Sequence, residues 1–404
     1  MKKIIPGKYK FIIRLGKALH KYGVQSYKIE RYLQQICEIK KIEGTFIDNP
    51  TYVNYVFYEE DNNTYNYMKG IKPGEINLGG LSRIVEITNK VLDNEMDFSD
   101  ASDEIDLIDN QTTSYWLLTF LGFLISGPAF CIILNTNWTT AIATGFTEIF
   151  VWLIYSYSYR SDYLSSVLEC IVAFVATIIL GVLSVIIADI NISLGILSSI
   201  IIFIPGLSIT SALEEITSNN LSSGTAKLAG ALVSLFKQFF GVLLGIMVLK
   251  LFLPIQEVAV VDDIPKWMDP IGVLLLIASL LPIFKVRRRD ILLCLAIGFI
   301  SYYTTILLEP AGMMISIFIG TIVTMLTSVL FRKLYNSPKI VFKIVGIVML
   351  VPGSKAFISL SSFFGTSSPD TPSNMGLQVM YILMGIIGGI LLSGSLRSNR
   401  DEIK

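Results

Sequence analysis

The sequence predicts an α-helical polytopic membrane protein, with ten transmembrane helices in two inverted five-helix repeats, preceded by a small α+β cytoplasmic domain. Three observations support this prediction. Residues 1–114 contain 32 of the charged side chains, and the 290 residues that follow contain the other 32. Ten apolar segments lie in that second part, and a Pro-Gly motif occurs twice among them, 147 residues apart. Residues 115–404 have too few polar side chains to cover a water-exposed surface, and we therefore expect this part of the chain to be surrounded by lipid.

Composition also excludes several functions. The formal net charge is zero, whereas a nucleic-acid-binding protein shows a basic excess. The four cysteines are far apart and form no CxxC motif, so neither disulfides nor a zinc site is expected. The only histidine, His20, excludes a Ser-His-Asp triad and a multi-histidine metal site within one chain. We therefore expect no enzyme, no cofactor and no metal.

Residues 1–110 are predicted to form the cytoplasmic α+β domain. The chain starts with basic residues, but no apolar stretch of a signal peptide follows them. Helical spacing of apolar residues and short runs rich in aromatic and β-branched residues give the order ααβββαα. Ser26 is predicted to be the N-cap of the second helix.

Ten segments are long enough to cross a bilayer core of about 30 Å. They divide into a first membrane half, 111–253, an extracytoplasmic loop, 254–268, a second membrane half, 269–396, and a cytoplasmic tail, 397–404. The predicted spans are 115–134, 138–158, 164–188, 192–213, 226–253, 269–284, 290–308, 311–331, 340–361 and 375–396.

Basic residues predict the orientation of these spans. If the N-terminal domain is cytoplasmic, the loops on its side contain 13 Lys and Arg residues, and the opposite loops contain only Lys250 and Lys266. Cytoplasmic loops of membrane proteins carry such an excess. Both termini are therefore predicted to lie in the cytoplasm, with the chain in the cell membrane.

The two Pro-Gly motifs predict an inverted repeat with a substrate site. Pro205-Gly206 and Pro352-Gly353 each lie 14 residues into a span, which places them roughly 20 Å deep. Proline removes a helical hydrogen bond and glycine permits other backbone conformations, so both spans are expected to break there. Two such half-helices, with positive N-terminal ends facing the centre, suit a carboxylate. A simple proline kink is the alternative.

Polar side chains beside the two breaks are the predicted substrate ligands. A small amino acid is the expected substrate, with protons and the lipid bilayer as the other partners, and homo-oligomerisation is left open. The candidate residues after the breaks are Ser208, Thr210, Ser211, Ser354, Lys355 and Ser359.

Ionisable residues inside predicted spans suggest function, because each costs about 2.5–3.5 kcal/mol at a helix centre. Glu148 and Lys237 lie inside spans two and five. They are predicted either to form a structural ion pair or to couple transport to protons through Glu148. Glu169, Glu214 and Glu215 lie nearer span ends, where solvation is expected.

Several short motifs, in order, resemble the bacterial threonine/serine exporter family. The resemblance implies an α+β cytoplasmic domain, ten spans, and proton-driven export of threonine or serine. It extends to Pro205, Gly206, Pro352, Gly353 and Ser354, whereas Lys355 departs from an expected apolar residue. The motifs are Leu15–Leu19, Gly23–Glu30, Asn49–Thr51, Asn77-Leu78, Leu81–Arg83, Ile204–Gly206, Leu221–Gly224, Lys227–Ala229 and Val351–Ser354.

Two other functions stay open at this point. The chain could be a membrane enzyme with a hydrolytic cytoplasmic domain, which activity of residues 1–110 on model substrates would favour. It could also be a non-transporting sensor or channel, which ion currents without substrate dependence would indicate. A gradient must drive an exporter of this sequence, since it contains no ATP-binding motif.

Overall fold

The structure is a computed structural model, and it places an α+β domain on one side of a helical membrane part. It describes residues 6–59, 63–71, 74, 76–110, 116–187, 189–253, 264–335, 337–351, 353, 357–358 and 375–395. The predicted loop 254–268 is described only from residue 264, and the predicted tail 397–404 lies outside these ranges.

The N-terminal domain has the predicted element order, with three antiparallel strands between two pairs of helices. Strand β2 pairs with β1 and with β3, so the sheet is a simple meander. The elements are α1 (Gly7–Lys21), α2 (Ser26–Ile39), β1 (Glu43–Asn49), β2 (Tyr52–Tyr58), β3 (Thr64–Gly70), α3 (Leu78–Leu92) and α4 (Phe98–Asn110).

Alternation along β2 decides which face of the sheet the helices cover. Val53, Tyr55 and Phe57 are buried, whereas the residues between them are half-buried. Successive strand residues point to opposite faces, so these three meet the apolar sides of the helices. Tyr55 donates a hydrogen bond of 3.1 Å from its hydroxyl to the carbonyl of Ile13, which connects the sheet to α1.

The predicted N-cap of α2 is wrong by one residue. The helix starts at Ser26 itself, and Gln25 occupies the cap position without a side-chain cap bond. The Ser26 hydroxyl instead lies 2.8 Å from the hydroxyl of Ser223, in the membrane part. A tertiary partner therefore replaces the local bond that the sequence suggested.

The membrane part consists of helices with glycine at many of their contacts. Gly122 on the first of them lies against the carbonyl of Ser279, and Gly241 lies against the carbonyl of Cys170. Small residues allow such close approach of helix backbones in lipid. The helices are α5 (Trp116–Ile133), α6 (Trp138–Ser158), α7 (Asp162–Ile186), α8 (Ile192–Ser199), α9 (Gly206–Thr217), α10 (Leu221–Phe252), α11 (Asp269–Ile283), α12 (Ile291–Leu307), α13 (Met313–Tyr335), α14 (Lys339–Val348) and α15 (Met375–Ser395).

Seven helices in the described ranges are long and apolar enough to cross a membrane, or eight if α8 and α9 form one bent span. These correspond to eight of the ten predicted spans. The second predicted span corresponds to α6, which is a continuous helix. It is not among the seven because its polar residues lower its mean hydropathy. The ninth begins with α14, and most of its remainder lies outside the described residues. Ten spans therefore stay a prediction.

Candidate functional site

The structure brings the two predicted helix breaks into contact. Between α8 and α9 the chain passes through a short 3-10 helix, Ile201–Phe203, and bends by 52°. Gly206, the first residue of α9, faces Gly353: a Cβ added to Gly206 would lie 3.2 Å from the Gly353 Cα. A Cβ added to Gly353 would lie 3.0 Å from the side chain of Ile204. Only residues without a side chain allow the two backbones to pass this closely.

A side chain from α10 satisfies a carbonyl that the first break leaves without its helical partner. The Gln238 amide donates a hydrogen bond of 2.6 Å to the carbonyl of Phe203. Gln238 is fully buried, and an unsatisfied carbonyl in that place would cost about 1–3 kcal/mol. No sequence pattern pointed to this role of Gln238, because its partner is 35 residues away in the chain.

The predicted ligands after the first break bond within their own helix. Thr210 is buried and donates to the carbonyl of Gly206 at 3.2 Å, and Ser211 donates to the carbonyl of Ser208 at 3.3 Å. Ser208 itself is exposed. The remaining candidates, Pro352, Ser354, Lys355 and Ser359, lie outside the described residues.

Glu148, in the middle of α6, is fully buried in the membrane part. Its Oε1 lies 3.3 Å from the hydroxyl of Ser126 on α5, and that hydroxyl also donates to the carbonyl of Phe123 at 2.7 Å. Its Oε2 has no hydrogen-bond partner among the described residues. Gly127 makes room for the carboxyl, because a Cβ there would lie 3.1 Å from Oε1.

Other small polar groups surround this carboxyl. The Cys131 thiol lies 3.6 Å from the hydroxyl of Thr144 and beside Ser198, at the end of α8. Within the described part of the chain, the buried hydroxyls of Ser198 and Ser199 have no hydrogen-bond partner. The cluster of Ser126, Cys131, Thr144, Glu148 and Ser198 is called the Glu148 cluster below. One member of this cluster, Ser198, is on α8, seven residues before Pro205 at the first helix break.

Electrostatics limits what Glu148 can do. The penalty for a buried, unpaired charge is several kcal/mol, and one hydrogen bond of 3.3 Å offsets little of it. The carboxyl is therefore stable here either with a proton or with a cation delivered from outside the protein. Both the proton and the ammonium group of an amino acid meet that requirement.

The hypothesis of a Glu148–Lys237 ion pair is wrong. The Lys237 ammonium lies 3.7 Å from the Glu169 carboxylate on α7 and donates to the Ser166 carbonyl at 2.6 Å. Its side chain is 35% exposed on the outside of the helix bundle. Glu148 is buried in the core of the bundle, whereas Lys237 lies on the outer side of α10, because neighbouring residues of a helix point about 100° apart.

Solvation of Glu214 and Glu215 at a span end is also contradicted. Glu214 is 4% exposed and Glu215 is fully buried. Glu214 Oε1 lies 2.9 Å from the Lys28 ammonium of the N-terminal domain and 2.7 Å from the Lys343 ammonium on α14. Glu215 pairs with Lys227. Burial would lower the pKa of Lys28, but the Glu214 carboxylate outweighs it and holds that pKa above its usual value.

The two lysine partners of Glu214 could not be predicted from the sequence, because they are 129 and 186 residues away from it. The one signal was Lys28 itself, a lysine placed one residue before Ile29 on the apolar side of a helix. Among the described residues, no group of three or more His, Cys, Asp or Glu side chains could hold a metal ion.

Comparison with known proteins adds an independent observation. The profile of a family described as "Putative threonine/serine exporter" matches residues 10–249, and that of "Threonine/Serine exporter, ThrE" matches residues 271–396. The chain is also similar to the Pheromone-regulated membrane protein 10 of three yeasts. Identity is 26% for Kluyveromyces lactis, and 24% for both Debaryomyces hansenii and Candida glabrata, over 241 residues in each case.

Those 241 residues are 58% of this chain but only 24–30% of the yeast proteins. The chain therefore spans less than a third of these curated relatives. No solved structure matches it.

Proposed function

Because the chain belongs to the threonine/serine exporter family, we propose that this multi-pass membrane protein exports threonine and serine in exchange for protons across the cytoplasmic membrane. The observation that carries the proton coupling is Glu148, a fully buried carboxyl with one oxygen that has no partner among the described residues. Such a group accepts either a proton or an ammonium group, but not both.

This competition supplies a mechanism of exchange. In one orientation of the site, the substrate ammonium pairs with the Glu148 carboxylate. After release on the far side, a proton replaces it and keeps the buried carboxyl neutral on the way back. The cycle moves one proton inward for each amino acid exported.

The rest of the substrate fits the groups nearby. The hydroxyls of Ser198 and Ser199 can bind the substrate hydroxyl. The carboxylate can meet the N-terminus of α9 at Gly206, where backbone N–H groups have no helical acceptor. Pro205, Gly206, Pro352, Gly353 and the predicted polar side chains after them belong to this proposed site.

Helix packing supports the proposed inverted repeat. In the first half, α6 packs against α5, α7 and α8, and α7 packs against α10. In the second half, α12 packs against α11, α13 and α14, and α13 packs against α15. The two first helices, α5 and α11, pack against each other. Such paired halves are the basis of alternating access by rocking around a central site.

Efflux from cells loaded with a threonine-containing dipeptide tests the substrate. We expect faster efflux of threonine and serine with the protein than without it, and no change for valine, which has a methyl group in place of the threonine hydroxyl. Equal threonine efflux with and without the protein would contradict the proposal.

The role of Glu148 is tested with a matched pair of variants. Glu148→Gln keeps the shape and removes the exchangeable charge, so we expect efflux to lose its dependence on the pH gradient. Glu169→Gln changes a carboxylate on the neighbouring helix that already has Lys237 as a partner, so pH dependence should remain. An unchanged pH dependence in Glu148→Gln would leave Glu148 a structural residue.

A further inference from the structure

The N-terminal domain contacts both membrane halves, and the two contacts differ in kind. Its contact with the second half has an apolar core with backbone hydrogen bonds, and it also includes ion pairs of Glu86 with Arg287 and Arg289. Leu78 is fully buried in a cluster with α11 and α14, and the N–H groups of Leu78 and Gly79 donate to the carbonyls of Phe284 and Lys285 at 3.0 Å. Ile340 of α14 is in turn part of the domain's own core. We call this the anchor contact.

The contact with the first half consists of polar groups. The Ser26 N–H donates to Glu215 at 2.9 Å, and the Ser26 and Ser223 hydroxyls are 2.8 Å apart. Glu214 accepts hydrogen bonds from Gln25 at 2.8 Å and from Tyr27 at 2.7 Å. With the Lys28–Glu214 ion pair, these form what we call the latch contact.

The physical chemistry of the two contacts predicts which one separates. Separation of the anchor contact would expose apolar side chains such as Leu78 to water, which costs free energy in proportion to the area exposed. Each group of the latch contact can instead exchange its partner for water, so that its net contribution is small. Glu215 also keeps Lys227 as a partner within the first half after separation.

Glu214 connects this contact to the transport path. It lies on α9, eight residues after Gly206, which is about 12 Å along the helix. Its carboxylate joins three parts of the molecule, because it meets Lys28 of the domain and Lys343 of the second half. Movement of the halves apart on this side must break both ion pairs.

We propose that the N-terminal domain is a gate, which stays on the second half through the anchor contact and closes against the first half through the latch contact. It opens when the halves move apart on the domain's side and closes when they return. This inference rests on the proposed transport function, because the movement of the two halves is taken to be the transport step.

A disulfide tests whether the latch contact must open. Ser26→Cys with Ser223→Cys places two thiols where the hydroxyls are 2.8 Å apart. We expect oxidation to stop efflux and a reductant to restore it, whereas each single variant should transport under oxidation. Full efflux with the disulfide complete would overturn the gate.

The control links the domain to the second half instead. Glu86 and Arg287 form an ion pair of 2.7 Å at the anchor contact. Glu86→Cys with Arg287→Cys, joined by a flexible bis-maleimide, should retain efflux. Loss of efflux in this control would contradict a domain that stays with the second half.

A labelling experiment decides the gate even if threonine is not the substrate. Ser26 is fully buried, so a maleimide reaches Ser26→Cys only after the latch contact separates. The experiment uses open membrane fragments, and mass spectrometry identifies the labelled site. We expect Glu214→Gln to raise the rate of maleimide labelling at Ser26→Cys about tenfold, since it removes a charged hydrogen-bond acceptor from the latch contact. Glu86→Gln should leave the rate unchanged. An unchanged rate in Glu214→Gln would reject the latch contact as a moving interface.

Discussion

The close contact between Gly206 and Gly353, at the two predicted helix breaks, gives the sharpest prediction. Gly206→Ala adds a Cβ that would lie 3.2 Å from the Gly353 Cα and closer still to the side chain of Val351. Backbone on one side and a β-branched side chain on the other leave little room to relax. Overpacking of this kind costs about 1–3 kcal/mol.

That cost falls on the state in which the two breaks touch. At 1.36 kcal/mol for each factor of ten, its population falls about five- to 150-fold. A transport cycle must pass through this state, so efflux should fall by a similar factor. Gly206→Leu and Gly353→Leu add larger side chains at the same contact and should abolish transport while membrane insertion continues.

The assay is threonine efflux normalised to the amount of protein in the membrane. Gly230→Ala is the matched control, because a Cβ at that glycine of α10 would have no atom within 4 Å. It should transport normally. Normal efflux of Gly206→Ala and Gly206→Leu at equal abundance would refute a functional role for this contact.

Further predictions concern single contacts. Gln238→Leu should lower stability by about 1–3 kcal/mol in thermal unfolding, because the Phe203 carbonyl loses its donor. Lys237→Ala should change stability by less than about 1 kcal/mol, since its ion pair is partly exposed, and a larger loss would show a hidden role. Leu78→Ala should weaken the anchor contact by about 2–5 kcal/mol, because it removes a fully buried side chain. We expect proteolysis to release residues 1–110 faster from this variant. An unchanged rate of release would contradict the anchor contact.

Sequence patterns predicted correctly those features that depend on the residues of a single segment. Helical spacing and alternation gave the ααβββαα order, since local periodicity determines which face is buried. The Pro-Gly motifs gave the position of the first break, because proline and glycine act on their own backbone. The buried location of Glu148 followed from its place in the middle of an apolar segment.

Pairings between distant residues could not be predicted in this way. Lys237 is 68 residues from its partner Glu169 and lies beside Gln238, yet the two neighbours point to different surroundings. A sequence does not show how a helix is rotated about its axis, and that rotation decides whether a side chain meets a carboxylate or a carbonyl. The proposed Glu148–Lys237 pair failed for this reason.

The sequence by itself determined that this chain divides into a charged domain and a lipid-solvated part, because composition alone decides which solvent a segment can tolerate. Only the tertiary structure decided that Gly206 meets Gly353 and that Lys28 and Lys343 share Glu214. Burial of a charge is tolerable only with a partner, and in this protein the partner comes from a different part of the chain.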